Sequence, residues 1–280
     1  NPDQMKKVLA LMAIVAVTFL SCSKDDSNDD GGSGTTGGGL TVEKKNRALL
    51  IDFSEDWCPP CGSNGGPAFD SLLSYEGNSL NAIKVYTGSN NSSLDWSTGN
   101  GMWSIYNNST YGGNGIPKFI AANQYQGVYT SWQSTVSGVL QKATAFNADS
   151  VLAGVALAKT IVGDSMKIST KVQFFKEQLA GTDMRLALYV VEETVVSSQS
   201  TNTGTSANYE HKNIVRTSNS TGYAGEKINN SLAITADQVF ENTYTVFLKP
   251  GWDKTKLKVV AAIWKMNSTP AKVINSNIAK

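Results

Sequence analysis

The chain has 280 residues, 40% hydrophobic and 17% charged, with a formal net charge of +1. That length admits one large domain or two ordinary ones, and no basic cluster stands outside the extreme N-terminus, which argues against a nucleic-acid partner. His211 cannot by itself complete a zinc site with Cys58 and Cys61, so no metal and no cofactor is expected.

Met5 reads as the translation start, with residues 1–4 upstream of it. Lys6-Lys7 gives a positive lead, and residues 8–20 form an apolar run too short for a bilayer, which takes about 20 residues. Residues 1–21 are therefore expected to be an export signal, removed on maturation. Phe19-Leu20-Ser21-Cys22 resembles a bacterial lipobox, which implies that Cys22 is lipidated and anchors the chain to a membrane. Phe19 departs from the usual Leu, Val or Ile, and the competing reading is an ordinary secretory signal with a stray Cys. Residues 22–39, acidic and then built of Gly, Ser and Thr, can bury no core and read as a flexible tether. Lys24-Asp25-Asp26 resembles the acidic surface-export signal of Bacteroidetes-type lipoproteins; the alternative is a plain spacer. The expected location is the outer membrane, lipid-anchored, on the cell surface or the periplasmic face.

Residues 40–147 are organised around Trp57-Cys58-Pro59-Pro60-Cys61. The apolar run Ala48-Leu49-Leu50-Ile51-Asp52-Phe53 predicts a strand before it, and a helix is expected after it. A thiol at a helix N-terminus faces unpaired N–H groups and the positive end of the helix dipole, which favours its thiolate. The second Cys lies within reach to close a disulfide. Ala82-Ile83-Lys84-Val85-Tyr86 predicts a buried strand, and Trp132, Val136, Val139, Leu140 and Ala143 predict one face of a helix capped by Thr130 or Ser131.

The order strand, C-x-x-C, helix resembles the thioredoxin-like fold. The resemblance implies roles residue by residue. Cys58 would be the attacking thiol and Cys61 the resolving one. Asp52 would be a buried carboxylate that relays a proton. Trp57 would flank the substrate, and a cis peptide at Ile116-Pro117, facing the dithiol, would offer the Ile116 backbone to a substrate strand. Three features depart from that pattern. Gly62, Gly65 and Gly66 weaken the helix, Pro67 comes one residue late, and residues 89–115 are longer than the fold needs. That long stretch carries Trp96, Trp103, Tyr106 and Tyr111, which either grip a ligand or cover the domain's own flank.

Residues 148–280 change period. Strands are predicted at 151–157, 166–172, 185–191, 243–248 and 257–264, with Gly- and Asn-rich turns between them. The fold expected is therefore an α/β thioredoxin-like domain followed by an all-β immunoglobulin-like sandwich. Residues 209–216 (YEHKNIVR), 225–227 (GEK) and 272–276 (KVINS) resemble the family of Bacteroidetes-type lipoproteins named after a twenty-eight-kilodalton outer-membrane protein. That resemblance implies outer-membrane attachment without a settled activity. His211 is expected on a strand, far from Cys58, as a structural hydrogen-bonding group.

Two functions stay open. One is a tethered thiol–disulfide oxidoreductase acting on thiols or disulfides of exported proteins, with an unidentified redox partner. The other is a surface binding or adhesion lipoprotein with an inert Cys58–Cys61 disulfide. A third reading makes residues 148–280 a spacer.

Overall fold

The computed structural model describes residues 39–88, 92–128 and 131–280; Cys22, the export signal and all but the last residue of the tether lie outside them, as does Thr130. Strands β1 (Ala48–Ser54) and β2 (Leu80–Tyr86) pair in parallel, joined through the C-x-x-C turn and helix α1 (Gly66–Leu72). Helix α2 (Gly99–Tyr106) lies in the long connection to β3 (Lys118–Ala121), which pairs antiparallel with β1 and carries β4 (Gln124–Gly127) on its outer side. Helix α3 (Trp132–Ala148) follows, its start capped by the Ser131 hydroxyl, which accepts the Ser134 N–H at 3.4 Å.

The remaining strands are β5 (Ala153–Val162), β6 (Ser165–Phe174), β7 (Met184–Thr201), β8 (Gly204–Ser218), β9 (Glu226–Lys227), β10 (Val239–Phe247), β11 (Leu257–Lys265) and β12 (Lys272–Ala279). Their pairing corrects the expected fold. There is no α/β thioredoxin-like domain followed by a separate immunoglobulin-like sandwich. The described residues hold twelve strands against three α-helices, and most strands join one mixed sheet ordered β12-β11-β7-β8-β2-β1-β3-β4, with β9 on β7. The two halves of the chain meet where Lys84 of β2 pairs in parallel with Ile214 of β8. A smaller sheet, β10-β6-β5, packs on the face of β7 and β11.

The shared core explains the merger. Leu49, Ile51, Phe53, Ile83 and Val85 from the first half pack in one cluster with Ala187, Tyr189, Val191, Val215, Val260, Ala262 and Trp264 from the second. Neither set is covered without the other. β7 and β11 bury both faces: Leu186, Leu188 and Val190 point to the small sheet, while Ala187, Tyr189 and Val191 point to the shared core. A strand buried on both sides reads as a continuous apolar run, and that is how these two read. On the other face of β1 and β2, Leu50, Leu80 and Ala82 pack on Phe69 and Leu72 of α1 and Val139 of α3.

The long connection is not a free aromatic loop. Trp96, Tyr106 and Tyr111 are buried in the shared core, and Trp103 packs edge-on against Phe53 at 5.2 Å between ring centroids. Covering the molecule's own flank is what these rings do.

Candidate dithiol site

Cys58 and Cys61 form a disulfide with their Cα atoms 5.2 Å apart. Both are buried, 3% and 2% exposed, yet Trp57 beside them is 46% exposed and Pro59 and Pro60 face solvent. The site therefore sits just under the surface. The Cys61 N–H lies 3.2 Å from the Cys58 sulfur, a backbone donor that would favour a thiolate there.

Helical geometry starts at once but not regularly. Cys61–Gly65 is a π turn, in which the Gly66 N–H donates to the Cys61 carbonyl five residues back. Pro67 then falls in the first turn of α1. A π turn accommodates one extra residue in a helix, so it absorbs the late arrival of Pro67.

The Ile116–Pro117 peptide is cis, and the Ile116 carbonyl oxygen lies 3.8 Å from the Cys58 sulfur. Pro117 presses on the turn: a β-carbon on Gly65 would come within 2.9 Å of its ring. The structure thus brings Cys58, Cys61, Ile116 and Pro117 together, with Trp57 at the rim. Asp52 sits deeper. It is fully buried in β1, and its carboxylate lies 3.3 Å from the Lys84 ammonium on β2. Burial pushes its pKa up to about 6, with Lys84 pulling the other way. Lys84 also lies over the Phe69 ring, 4.7 Å from its centroid.

Residues not singled out in the sequence complete the site. Glu55, fully buried, accepts the Thr87 N–H at 3.0 Å and the Thr87 hydroxyl at 2.5 Å, while its carbonyl accepts the Cys58 N–H. The tip of the β7–β8 hairpin reaches across from the second half. Gln199 Nε2 donates to the Cys58 carbonyl at 3.1 Å and to the Glu55 carbonyl at 3.2 Å. The Ser200 N–H donates to the Asp56 carbonyl at 2.7 Å, and the Asn202 N–H to the Ser63 hydroxyl at 2.8 Å. A β-carbon on Gly62 would sit 2.5 Å from the Ser200 carbonyl oxygen. Two of the glycines that weaken the helix, Gly62 and Gly66, leave the room the hairpin needs to approach it. Lys84 left a signal, a lone charge inside an apolar strand. Gln199, in a stretch of Ser, Thr and Asn, left none.

His211 lies on a strand, β8, and is linked to the dithiol turn through Tyr209. Its Nδ1 lies 2.6 Å from the Tyr86 hydroxyl, and its ring packs 5.1 Å from that of Tyr209, whose hydroxyl donates to the Gly62 carbonyl at 3.4 Å. One ring separates it from the dithiol turn. Burial, assisted by Lys84, lowers its pKa to about 4, so it is neutral at neutral pH and serves as a hydrogen-bonding group.

Residues 106–280 match the model of the outer membrane protein Omp28 family. The chain belongs to that family. The Omp28 match places the protein in the outer membrane, and it includes Ile116, Pro117 and the hairpin while beginning after the two cysteines. None of the curated proteins matches the chain. Among solved structures, HBP35 of Porphyromonas gingivalis is similar over 85% of this chain and 76% of its own, with a TM-score of 0.66 and 19% identity. A protein from Agrobacterium tumefaciens is similar over 84% of this chain and 95% of its own, with a TM-score of 0.51 and 12% identity. At such identities the likeness is one of fold alone. Among the described residues no helix is long and apolar enough to cross a membrane.

Proposed function

We propose that this Omp28-family protein is held at the outer membrane by lipid on Cys22 and exchanges thiols and disulfides with exported proteins through Cys58 and Cys61. The observation that carries the reading is the Ile116 carbonyl oxygen standing 3.8 Å from the Cys58 sulfur. In the reduced protein, the Cys58 thiolate attacks a substrate disulfide, forming a mixed disulfide and releasing one substrate thiolate. Cys61 then attacks the Cys58 sulfur, the mixed disulfide breaks and the second substrate thiol leaves. Two electrons pass to the substrate and the Cys58–Cys61 bond re-forms. Run backwards, the same steps oxidise a substrate dithiol. Asp52, raised to about 6, is a proton acceptor near neutral pH on the strand that leads into the turn. Either direction needs a thiol or disulfide partner outside the chain.

The test is a Cys61→Ser protein displayed on cells. It should retain mixed disulfides through Cys58 that a reductant releases. No such adducts, together with no turnover of a model disulfide by the unaltered protein, would remove the reading.

A second reading is a surface binding protein in which the disulfide is an inert staple. Two observations favour it: both sulfurs are nearly inaccessible beneath the hairpin tip, and the family match omits the cysteines. The family match to an outer-membrane protein fits this reading better than the first. It requires that Cys58→Ala/Cys61→Ala protein keep its biological role.

A further inference from the structure

We propose that Gln199, on the far half of the chain, is a positioning residue that sets the redox poise of the Cys58–Cys61 pair. This deepens the dithiol reading and rests on it. Gln199 is 2% exposed, and its side-chain nitrogen is shared between the Ser200 carbonyl of its own hairpin at 2.9 Å and two carbonyls of the turn that carries the cysteines. The Cys58 carbonyl already accepts the Cys61 N–H at 3.1 Å and the Gly62 N–H at 3.3 Å; Gln199 Nε2 is a third donor at 3.1 Å. The same nitrogen holds the Glu55 carbonyl, where the turn begins. Its position does not depend on a loop. Gln199 is a strand residue paired opposite Ser206, and its neighbour Ser200 is bonded to Asp56.

The effect has a definite sign. An N–H dipole with its positive end toward the backbone beside Cys58 favours negative charge on that sulfur. Reduction makes a thiolate there, so the donor stabilises the reduced state over the disulfide. Removing it raises the Cys58 thiol pKa and shifts the couple toward the disulfide. Contact area cannot supply the effect, because an isosteric side chain lacking the donor keeps the packing.

The experiment equilibrates the residue 39–280 protein with glutathione, two glutathione thiols giving one glutathione disulfide as Cys58–Cys61 opens. Gln199→Met and Gln199→Leu both fill the site without the donor and without adding a charge. Each should shift the constant about tenfold toward the disulfide, equivalent to about 30 mV, and raise the Cys58 thiol pKa followed by thiolate absorbance. Folded variants with an unchanged constant and thiol pKa would overturn the proposal. If neither variant folds, the unaltered protein decides: the Gln199 side-chain amide resonances must move on reduction, and fixed resonances overturn it. Should the unaltered pair not exchange with glutathione at all, the dithiol reading falls and this inference falls with it. Exchange with wild-type values in both variants sinks this inference alone.

Discussion

The hydroxyl of Tyr209 occupies the space that a β-carbon on Gly66 would need. The two residues come from opposite halves of the chain, and their contact sets the distance between the hairpin and the C-x-x-C helix. On an open helix surface, Gly to Ala gains about 1 kcal/mol. Here the added methyl strikes the hydroxyl, and overpacking of this kind costs about 1–3 kcal/mol. Gly66→Ala should therefore destabilise the protein to denaturant, and Tyr209→Phe should recover part of the loss in the double variant. A stabilising Gly66→Ala would mean that the hairpin does not sit on the helix.

Asp52 and His211 predict opposite pH slopes in nearly one window. Asp52 is raised from 3.8 to about 6, so the folded state holds its proton longer. Its contribution is full below pH 4 and is lost as pH rises through about 6, by up to about 3 kcal/mol. His211 is lowered from 6.5 to about 4, so the unfolded state takes its proton first. That contribution is full above pH 6.5 and is lost as pH falls through about 4. Unfolding free energies of Asp52→Asn and His211→Asn across pH 4–6.5 should tilt in opposite directions relative to the unaltered protein. Parallel curves would show that one of these groups is not buried as described.

These two residues also mark what was legible in the sequence. Asp52 stood out through the resemblance to the thioredoxin-like pattern, and the strand around it through composition. The cis peptide at Ile116–Pro117 was expected from the resemblance to the thioredoxin-like pattern, not from local composition. The merged sheet was not legible, because it depends on one parallel pairing, Lys84 with Ile214, between strands far apart in sequence. The apolar run of β7 ends at Val191, while pairing carries the strand on to Thr201 through Ser and Gln. The link from His211 through Tyr209 to Gly62 follows from the fold of the hairpin, which no local pattern encodes.

Lys118 makes a third test. It is buried beside Pro117, donates to the carbonyls of Tyr106 and Gly113, and lies 4.3 Å from the centre of the Trp103 ring. Burial lowers its pKa to about 8 from 10.5. Between those values the unfolded chain binds the proton that the folded chain has lost, so stability gains a rising component from about pH 8 to 10.5. Lys118→Met should lack that component and should speed amide exchange at the end of α2 and around Gly113, where the Tyr106 and Gly113 carbonyls lose their donor. Equal slopes for the two proteins over this range would contradict the buried position.

The last prediction concerns whether residues 148–280 merely hold the first half away from the membrane. Without them, Leu49, Ile51, Phe53, Ile83 and Val85 lose Tyr189, Val215, Val260 and Trp264 across the shared core. The β2 edge loses β8, and the C-x-x-C turn loses Gln199 and Tyr209. Truncating several large apolar contacts at once costs more than the few kcal/mol by which a domain is stable. A fragment of residues 39–147 should therefore show no cooperative thermal transition and should bind a hydrophobic dye, while 39–280 unfolds in one step. A fragment that melted cooperatively, with the dithiol reacting as in the longer protein, would make the second half a spacer and the shared core irrelevant to the site.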